Sequence, residues 1–322
     1  MRITLGIAAL AGLLLAIALV ALEGLGAVLH VLASARWGIL VAALLHLWPL
    51  MFCAGAWGAL MPPPWRPSLP TLFLCRWVRE GVNSMLPVAQ VGGVVVQARL
   101  LSFRGVSGDL AGASVVVDMT LEVTTLFLFA LVGLGLFATR GQAQSAAWLA
   151  VGLLMGCPAI IGLIAAQRLG LIRVLAGLTD RLARRSGWSS PLLAVDKAIR
   201  AFYQDRRRIA ACAALHFSAW CLSAMEIFVL LRFMGQSIGP RDAVIVASLG
   251  YAVRAAGFLV PGALGIQEGG YMMLAALVGI PAHLGLALSL ARRVREMMLG
   301  VPALLAWQVF EGRRLWKAAR RA

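Results

Sequence analysis

Leu259-Val260-Pro261-Gly262-Ala263-Leu264-Gly265-Ile266-Gln267-Glu268-Gly269-Gly270 lies in the middle of a largely apolar stretch, and so does Asn83-Ser84-Met85-Leu86-Pro87-Val88-Ala89-Gln90-Val91-Gly92-Gly93. Proline removes a backbone donor and clashes with the preceding turn, and glycine weakens a helix interior. Neither half of either stretch is long enough to cross a hydrocarbon core about 30 Å thick with ease. A helix broken at membrane depth exposes backbone polar groups, which is tolerated only inside protein or along a wet cavity. Residues 71–104 and 240–279 are therefore read as re-entrant helical hairpins, with Pro87, Gly92, Gly93, Pro261, Gly262 and Gly265 forming the breaks.

The surrounding sequence names the solvent. Of 322 residues, 61% are hydrophobic and only 13% charged, with a mean hydropathy of +0.89. A soluble domain is roughly half apolar and about a quarter charged. Ile3–Leu22, Trp37–Leu60, Ala111–Phe137, Ala146–Ala166 and Ile209–Leu231 read as spanning helices, and a sixth covers Leu284–Phe310 despite its charges. Pro49 and Pro158 fall inside two of these and predict kinks. The expected fold is an all-α polytopic membrane protein of about six spanning helices plus two hairpins, in one membrane domain over 1–322.

A net charge of +16 would suit a nucleic-acid partner in a soluble protein. Here the basic residues gather between apolar runs, so no nucleic acid is expected. Residues 167–208 carry Arg168, Arg173, Arg181, Arg184, Arg185, Lys197, Arg200 and Arg206-Arg207-Arg208, and the tail adds Arg313, Arg314, Lys317, Arg320 and Arg321. The positive-inside rule places both in the cytoplasm of a bacterial inner membrane. Apolar residues at helical spacing (Leu169, Ile172, Leu175, Leu182) fit a helix lying on the inner surface, and a solvated connector fits as well.

Shifting the second broken stretch onto the first by 174 residues superposes Pro261 on Pro87, Gly279 on Gly105 and Glu296 on Glu122 without a gap. The units 37–137 and 209–311 then share an order of spanning helix, hairpin, spanning helix. The sided assignment makes the first hairpin enter from the cytoplasm and the second from outside, an inverted repeat of the kind whose broken helices mark transporter substrate sites.

Charged residues in these stretches are costly, at about 2.5–3.5 kcal/mol each at the bilayer centre on insertion scales. They are Arg76, Arg79, Glu80, Asn83, Gln90, Gln97 and Arg99 in the first hairpin and Arg254, Gln267, Glu268 and Tyr271 in the second. Asp118 and Glu122, like Arg292 and Glu296, are four apart on one helix face, with Arg293 and Arg295 beside the latter pair, and helix 209–231 adds His216 and Glu226. Ion pairs holding the halves together and a polar path for a lipid headgroup both fit. Arginine suits the second, because its planar fork donates paired hydrogen bonds to phosphate or carboxylate. The half-helix ends at the breaks also favour anions.

Motifs for zinc proteases, serine hydrolases, phosphate-binding loops and dinucleotides are missing, and the chain has four histidines without ligand spacing. The five cysteines form no Cys-x-x-Cys pair and read as small buried hydrophobes. No catalytic residue, metal or cofactor is expected, and the chain is not read as an enzyme.

The strings RWVREGVNSMLPVAQVGGVVVQARLL, ASVVVDMTLE, VPGALGIQEGGY, SLARRVRE and WQVFEGRR resemble the flippase-like membrane region of lysylphosphatidylglycerol synthases, most closely a hopanoid-biosynthesis-associated branch. The resemblance implies an inner-membrane protein that moves lipids between leaflets. It does not imply lysyl transfer, since the soluble transferase domain has no counterpart in these residues. The family position after Gly92-Gly93 is commonly Glu, and here it is Val94, which puts an acid-driven step in doubt. The function expected is a flippase for a hopanoid-type or phospholipid cargo. Arg76, Arg79, Glu80, Asn83, Gln90, Arg99, Asp118, Glu122, Arg254, Gln267, Glu268, Arg292 and Glu296 would meet the headgroup. Its partners would be membrane lipids with anionic headgroups and other lipid-biosynthesis or transport proteins. A lipid-modifying enzyme and a non-transporting member of a biosynthesis complex are the alternatives.

Overall fold

A computed structural model describes residues 33, 35–63, 65–86, 92–169, 189–258 and 260–319. Ile3–Leu22, residues 170–188 of the connector, and Pro87 and Gln90 lie outside the described residues. All regular structure among the described residues is helical. In chain order the helices are α1 (Arg36–Leu60), α2 (Leu69–Met85), α3 (Gly92–Ser102), α4 (Gly108–Ala138), α5 (Ala143–Leu154), α6 (Cys157–Leu169), α7 (Ser189–Gln204), α8 (Arg206–Phe233), α9 (Pro240–Ala256), α10 (Ile266–Leu277) and α11 (Ala282–Ala319).

Among the described residues, four segments are long and apolar enough to cross a membrane: Trp37–Leu60, Gly108–Ala138, Gln144–Leu169 and Arg206–Phe233. This is a multi-pass membrane protein. The apolar window of Gln144–Leu169 has none of its residues buried in protein. Trp148, Met155, Ile161 and Leu169 are exposed along it, as lipid-facing side chains should be. The segment is not one kinked helix. It breaks at Met155–Gly156, and Pro158 opens the following helix in its first turn, where a missing N–H costs nothing. Pro49, by contrast, sits inside the continuous α1. α11 falls short of the apolar criterion because of its internal charges, yet it runs unbroken for 38 residues.

The chain divides into two compact units. The first comprises Met1–Trp48, Leu74–Val96 and Ser223–Ala322, and the second Pro49–Phe73 and Gln97–Leu222. In the second unit α4 is central. Trp57 of α1 donates to Ser114 at 3.1 Å, Gln167 of α6 to Thr120 at 2.7 Å, and Trp220 of α8 to Thr125 at 3.3 Å. Tyr203 of α7 donates to Gln167 at 2.9 Å and so joins the same network.

In the first unit the helices that flank each break touch one another. Gly93 opens α3 with its N–H on the Asn83 side chain at 2.9 Å, and a Cβ there would lie 2.5 Å from the Arg79 carbonyl. Around the second break Tyr271 packs on Gly250, Val253 on Gly270 and Ile266 on Gly257, so numbers rise on α10 as they fall on α9. These two helices are antiparallel. The turn between them is a single 3₁₀ step, Pro261–Ala263, with Gly262 at φ 62° and Gly265 at φ 75°. Both angles lie in the left-handed region that glycine enters without penalty.

The element bounds sharpen the gapless superposition. α3 and α10 begin 174 residues apart, as do α4 and α11, but α2 and α9 begin and end 171 apart. The second break is three residues longer, and those residues correspond in number to the 3₁₀ step. Matched helix to helix, Glu80 therefore falls opposite Tyr251, not Arg254.

α10 and α11 approach closely because Gly285 leaves room. A Cβ at that position would sit 2.4 Å from the Tyr271 carbonyl and 2.8 Å from the Ala275 Cβ. Gly285→Ala is expected to destabilise the protein by about 1–3 kcal/mol through overpacking. Gly112→Ala, where a Cβ meets nothing within 4 Å, should be close to neutral. Thermal unfolding in detergent compares the two, and equal midpoints would remove the packing argument.

Candidate functional site

The polar residues of the first unit converge in one network. Glu226 of α8 is buried, and its Oε1 lies 3.2 Å from Arg295 Nε and 3.5 Å from Arg292 Nε, both on α11. Its Oε2 meets Nδ1 of His46 on α1 at 3.0 Å. The other nitrogen of His46 lies 2.7 Å from Glu80 of α2. An ionised carboxylate only accepts, so the ring donates to both neighbours only while it carries both protons. From Arg295 the chain of charge continues to Glu296 at 3.8 Å. Glu296 in turn pairs with Arg254 of α9, which also donates to Gln267 of α10.

Gln267 passes the network on to Ser289 at 3.0 Å, and Ser289 to Glu268 at 3.4 Å. Glu268 is completely buried at the start of α10. Its carboxylate accepts the Gly265 backbone N–H at 2.7 Å and a two-pronged contact from Arg293. Arg293 also donates to the Gly262 carbonyl at 3.0 Å, so it clamps the 3₁₀ step itself. The half-helix end that the sequence offered to a headgroup is thus already filled by an anion of the chain.

Arg292 is held differently. Its guanidinium stacks 4.4 Å from the Tyr251 ring and 5.1 Å from Tyr271, at 1% exposure. Its Nε and Nη1, and the same two atoms of Arg295, make no hydrogen bond among the described residues. Buried and half-buried guanidinium groups outnumber the carboxylates: Arg76, Arg79, Arg254, Arg292, Arg293 and Arg295 stand against Glu80, Glu226, Glu268 and Glu296. Glu80 is the accessible member, with 37% of its side chain exposed. An arginine-rich interior with donors to spare and one opening acid can hold an anion.

The structure brings most of the sequence-derived candidates together here: Glu80, Arg254, Gln267, Glu268, Arg292 and Glu296 share the network. Arg76 and Arg79 are buried on the same face region of α2, and Asn83 is spent on closing the first break. Arg99, Asp118 and Glu122 belong to the second unit. Arg99 stacks over Phe103 at 5.3 Å, Asp118 meets His216 at 2.8 Å, and the Glu122 carbonyl accepts from Trp220 at 3.4 Å. His46, Tyr251 and Ser289 were not singled out for the site. Glu226, Arg293, Arg295 and Tyr271 were noted as costly or polar but not placed in it. The second unit also carries a basic cavity of about 410 Å³, lined by Arg168, Arg200, Tyr203 and Arg206 among others.

Residues 3–303 match the model of the lysylphosphatidylglycerol synthase TM region family. The chain belongs to this family. It is a family of membrane regions linked to lipid translocation and membrane-lipid modification. No curated protein and no solved structure gives a match to the chain. In this member of the lysylphosphatidylglycerol synthase TM region family, the residues of the arginine network all fall within the matched span.

Removing one partner of a buried ion pair strands the others, at a cost of about 3–5 kcal/mol. Glu226→Ala takes from His46, Arg292 and Arg295 the carboxylate that all three share. It is expected to lower the thermal midpoint in detergent more than any other single carboxylate removal in the network, including Glu80→Ala at the accessible end. A smaller shift for Glu226→Ala than for Glu80→Ala would show that the network does not depend on it.

Proposed function

We propose that this protein moves a lipid with an anionic headgroup between membrane leaflets, with the headgroup held in the arginine network of the first unit. The observation that carries this reading is the pair of buried arginines, Arg292 and Arg295, whose Nε and Nη1 groups make no hydrogen bond among the described residues and have carboxylate oxygens of Glu226 and Glu80 only as ion-pair neighbours at 3.2–3.5 Å. A phosphate or carboxylate brings oxygens that can align with these N–H groups for hydrogen bonds they do not now make, and paired N–H donors suit its geometry. Glu80, exposed at the margin, is the carboxylate that an incoming headgroup meets first. The family membership supports lipid handling as the setting.

The hairpins at 71–104 and 240–279 are proposed to be re-entrant and oppositely oriented. Support comes from the antiparallel pair α9 and α10 at the second break, from the contact of Gly93 with Asn83 beside the first, and from the recurring element order. Basic residues in 167–208 and in the tail favour a cytoplasmic C-terminus in a bacterial inner membrane. The motif resemblance favours a hopanoid-type or phospholipid cargo, whose apolar body stays in lipid while the headgroup crosses. A lipid-modifying enzyme is the competing reading, and it differs in outcome. Deletion would then remove a lipid species from the cell, whereas loss of a flippase leaves the inventory intact and changes its distribution.

The direct test is reconstitution into liposomes carrying fluorescent anionic and zwitterionic phospholipid analogues, with leaflet-resolved quenching. The protein should accelerate exchange of the anionic analogue, and Arg295→Lys and Arg254→Ala should each slow it about tenfold or more, as loss of one charged hydrogen bond of roughly 1.5–3 kcal/mol predicts. Gly112→Ala should leave the rate unchanged. No protein-dependent movement of any analogue would remove the proposal.

A further inference from the structure

The second unit has a polar cluster of a different kind. Asp118 of α4 and Cys212 and His216 of α8 are all buried, and their ligand-capable atoms lie within 4.8 Å of one another. Cys212 and His216 are four residues apart and so share one face of α8. His216 Nε2 is 2.8 Å from Asp118 Oδ1, and Cys212 Sγ is 3.8 Å from the same oxygen. We infer that Asp118, Cys212 and His216 form a binding site for a single divalent cation of the zinc class.

The donor set argues for that class. One thiolate, one imidazole and one carboxylate match a borderline cation, whereas hard cations such as magnesium and calcium take oxygen ligands. Charge argues the same way. A thiolate and a carboxylate carry two negative charges, so a dication leaves the filled site neutral in a span surrounded by hydrocarbon.

Two of the three ligand pairs need little adjustment. Bonds of about 2.0–2.1 Å to nitrogen and oxygen and about 2.3 Å to sulfur put tetrahedral ligand pairs about 3.3–3.6 Å apart. The sulfur–oxygen pair is already near that spacing. The nitrogen–oxygen pair has to open by about 0.5 Å to reach it. His216 Nδ1 makes no hydrogen bond among the described residues. The Cys53 thiol of α1 lies beside both Cys212 and His216 and is the next donor within reach of a fourth position. A cation here would tie α1, α4 and α8 together inside the second unit, apart from the arginine network of the first. The inference does not depend on the lipid-transport reading.

The test uses the full chain purified in detergent, loaded with zinc, freed of excess metal and read by elemental analysis and X-ray absorption. About one zinc per chain is expected, with one or two sulfur neighbours at about 2.3 Å. Cobalt in place of zinc should give the visible spectrum of a tetrahedral thiolate site, and His216→Ala and Cys212→Ser should abolish it. Should those variants fail to fold, the absorption spectrum of the unaltered protein still decides. A folded chain that retains well below stoichiometric zinc, or binds it with no sulfur neighbour, would overturn the site and leave Asp118 and His216 as a structural ion pair.

Discussion

The carboxylate of Glu226 lies where α1, α8 and α11 meet, shared among one imidazole and two guanidinium groups. Taking a single carboxylate out of water costs several kcal/mol, and one partner seldom offsets that. Three partners from two other helices do so while fixing the rotation of each helix about its own axis. The remaining charges of the first unit inherit their places from this point. Arg295 sets Glu296, Glu296 sets Arg254, and the line continues through Gln267 and Ser289 to the turn held by Glu268 and Arg293. Hydrocarbon makes such a line strict, because an ion that loses its place finds no water to replace the partner.

The two units solve the same problem with different chemistry. The first relies on guanidinium, carboxylate and imidazole groups strung between six helices, and it has more arginines than glutamates. The second keeps mostly neutral hydrogen bonds around α4, with Asp118–His216 and Asp196–Arg200 among its charged contacts. Hydroxyl groups of the second, such as Thr120 and Thr125, instead bond back to the carbonyl one turn earlier and to side chains of neighbouring helices.

Much of this was legible in the sequence because hydrophobic length is a strong signal. The four apolar spans, the breaks beside Pro261 and in the 86–91 stretch, and the concentration of costly charges in the last helix all follow from residue type and spacing. Partners across helices do not. Glu226 has Leu222 and Leu230 one turn away on its own helix, so local spacing offers it nothing. Its partner His46 is 180 residues distant, beyond the reach of any local pattern. The pairing of Arg292 with Glu296 by spacing was a natural reading, but two tyrosine rings capture Arg292 and leave Glu296 to Arg254 and Arg295. A gapless superposition also hid the three extra residues of the second break. Glycine and proline announce that a helix stops, but not how many residues the turn consumes. Likewise Pro158 signalled a bend, whereas the preceding turn at Met155–Gly156 makes it the start of a new helix.

The filled end of α10 has a consequence for how any anion could be handled there. Because Glu268 occupies both the Gly265 N–H and the Arg293 fork, a visiting anion cannot simply add to the turn. It must trade places with a tethered carboxylate that is always present at high effective concentration. Occupancy then becomes an exchange between two anions, one free and one covalently attached, with the local charge the same before and after. Such a turn never presents bare positive charge to the bilayer, and the tethered competitor sets a floor on how weakly a guest may bind and still enter.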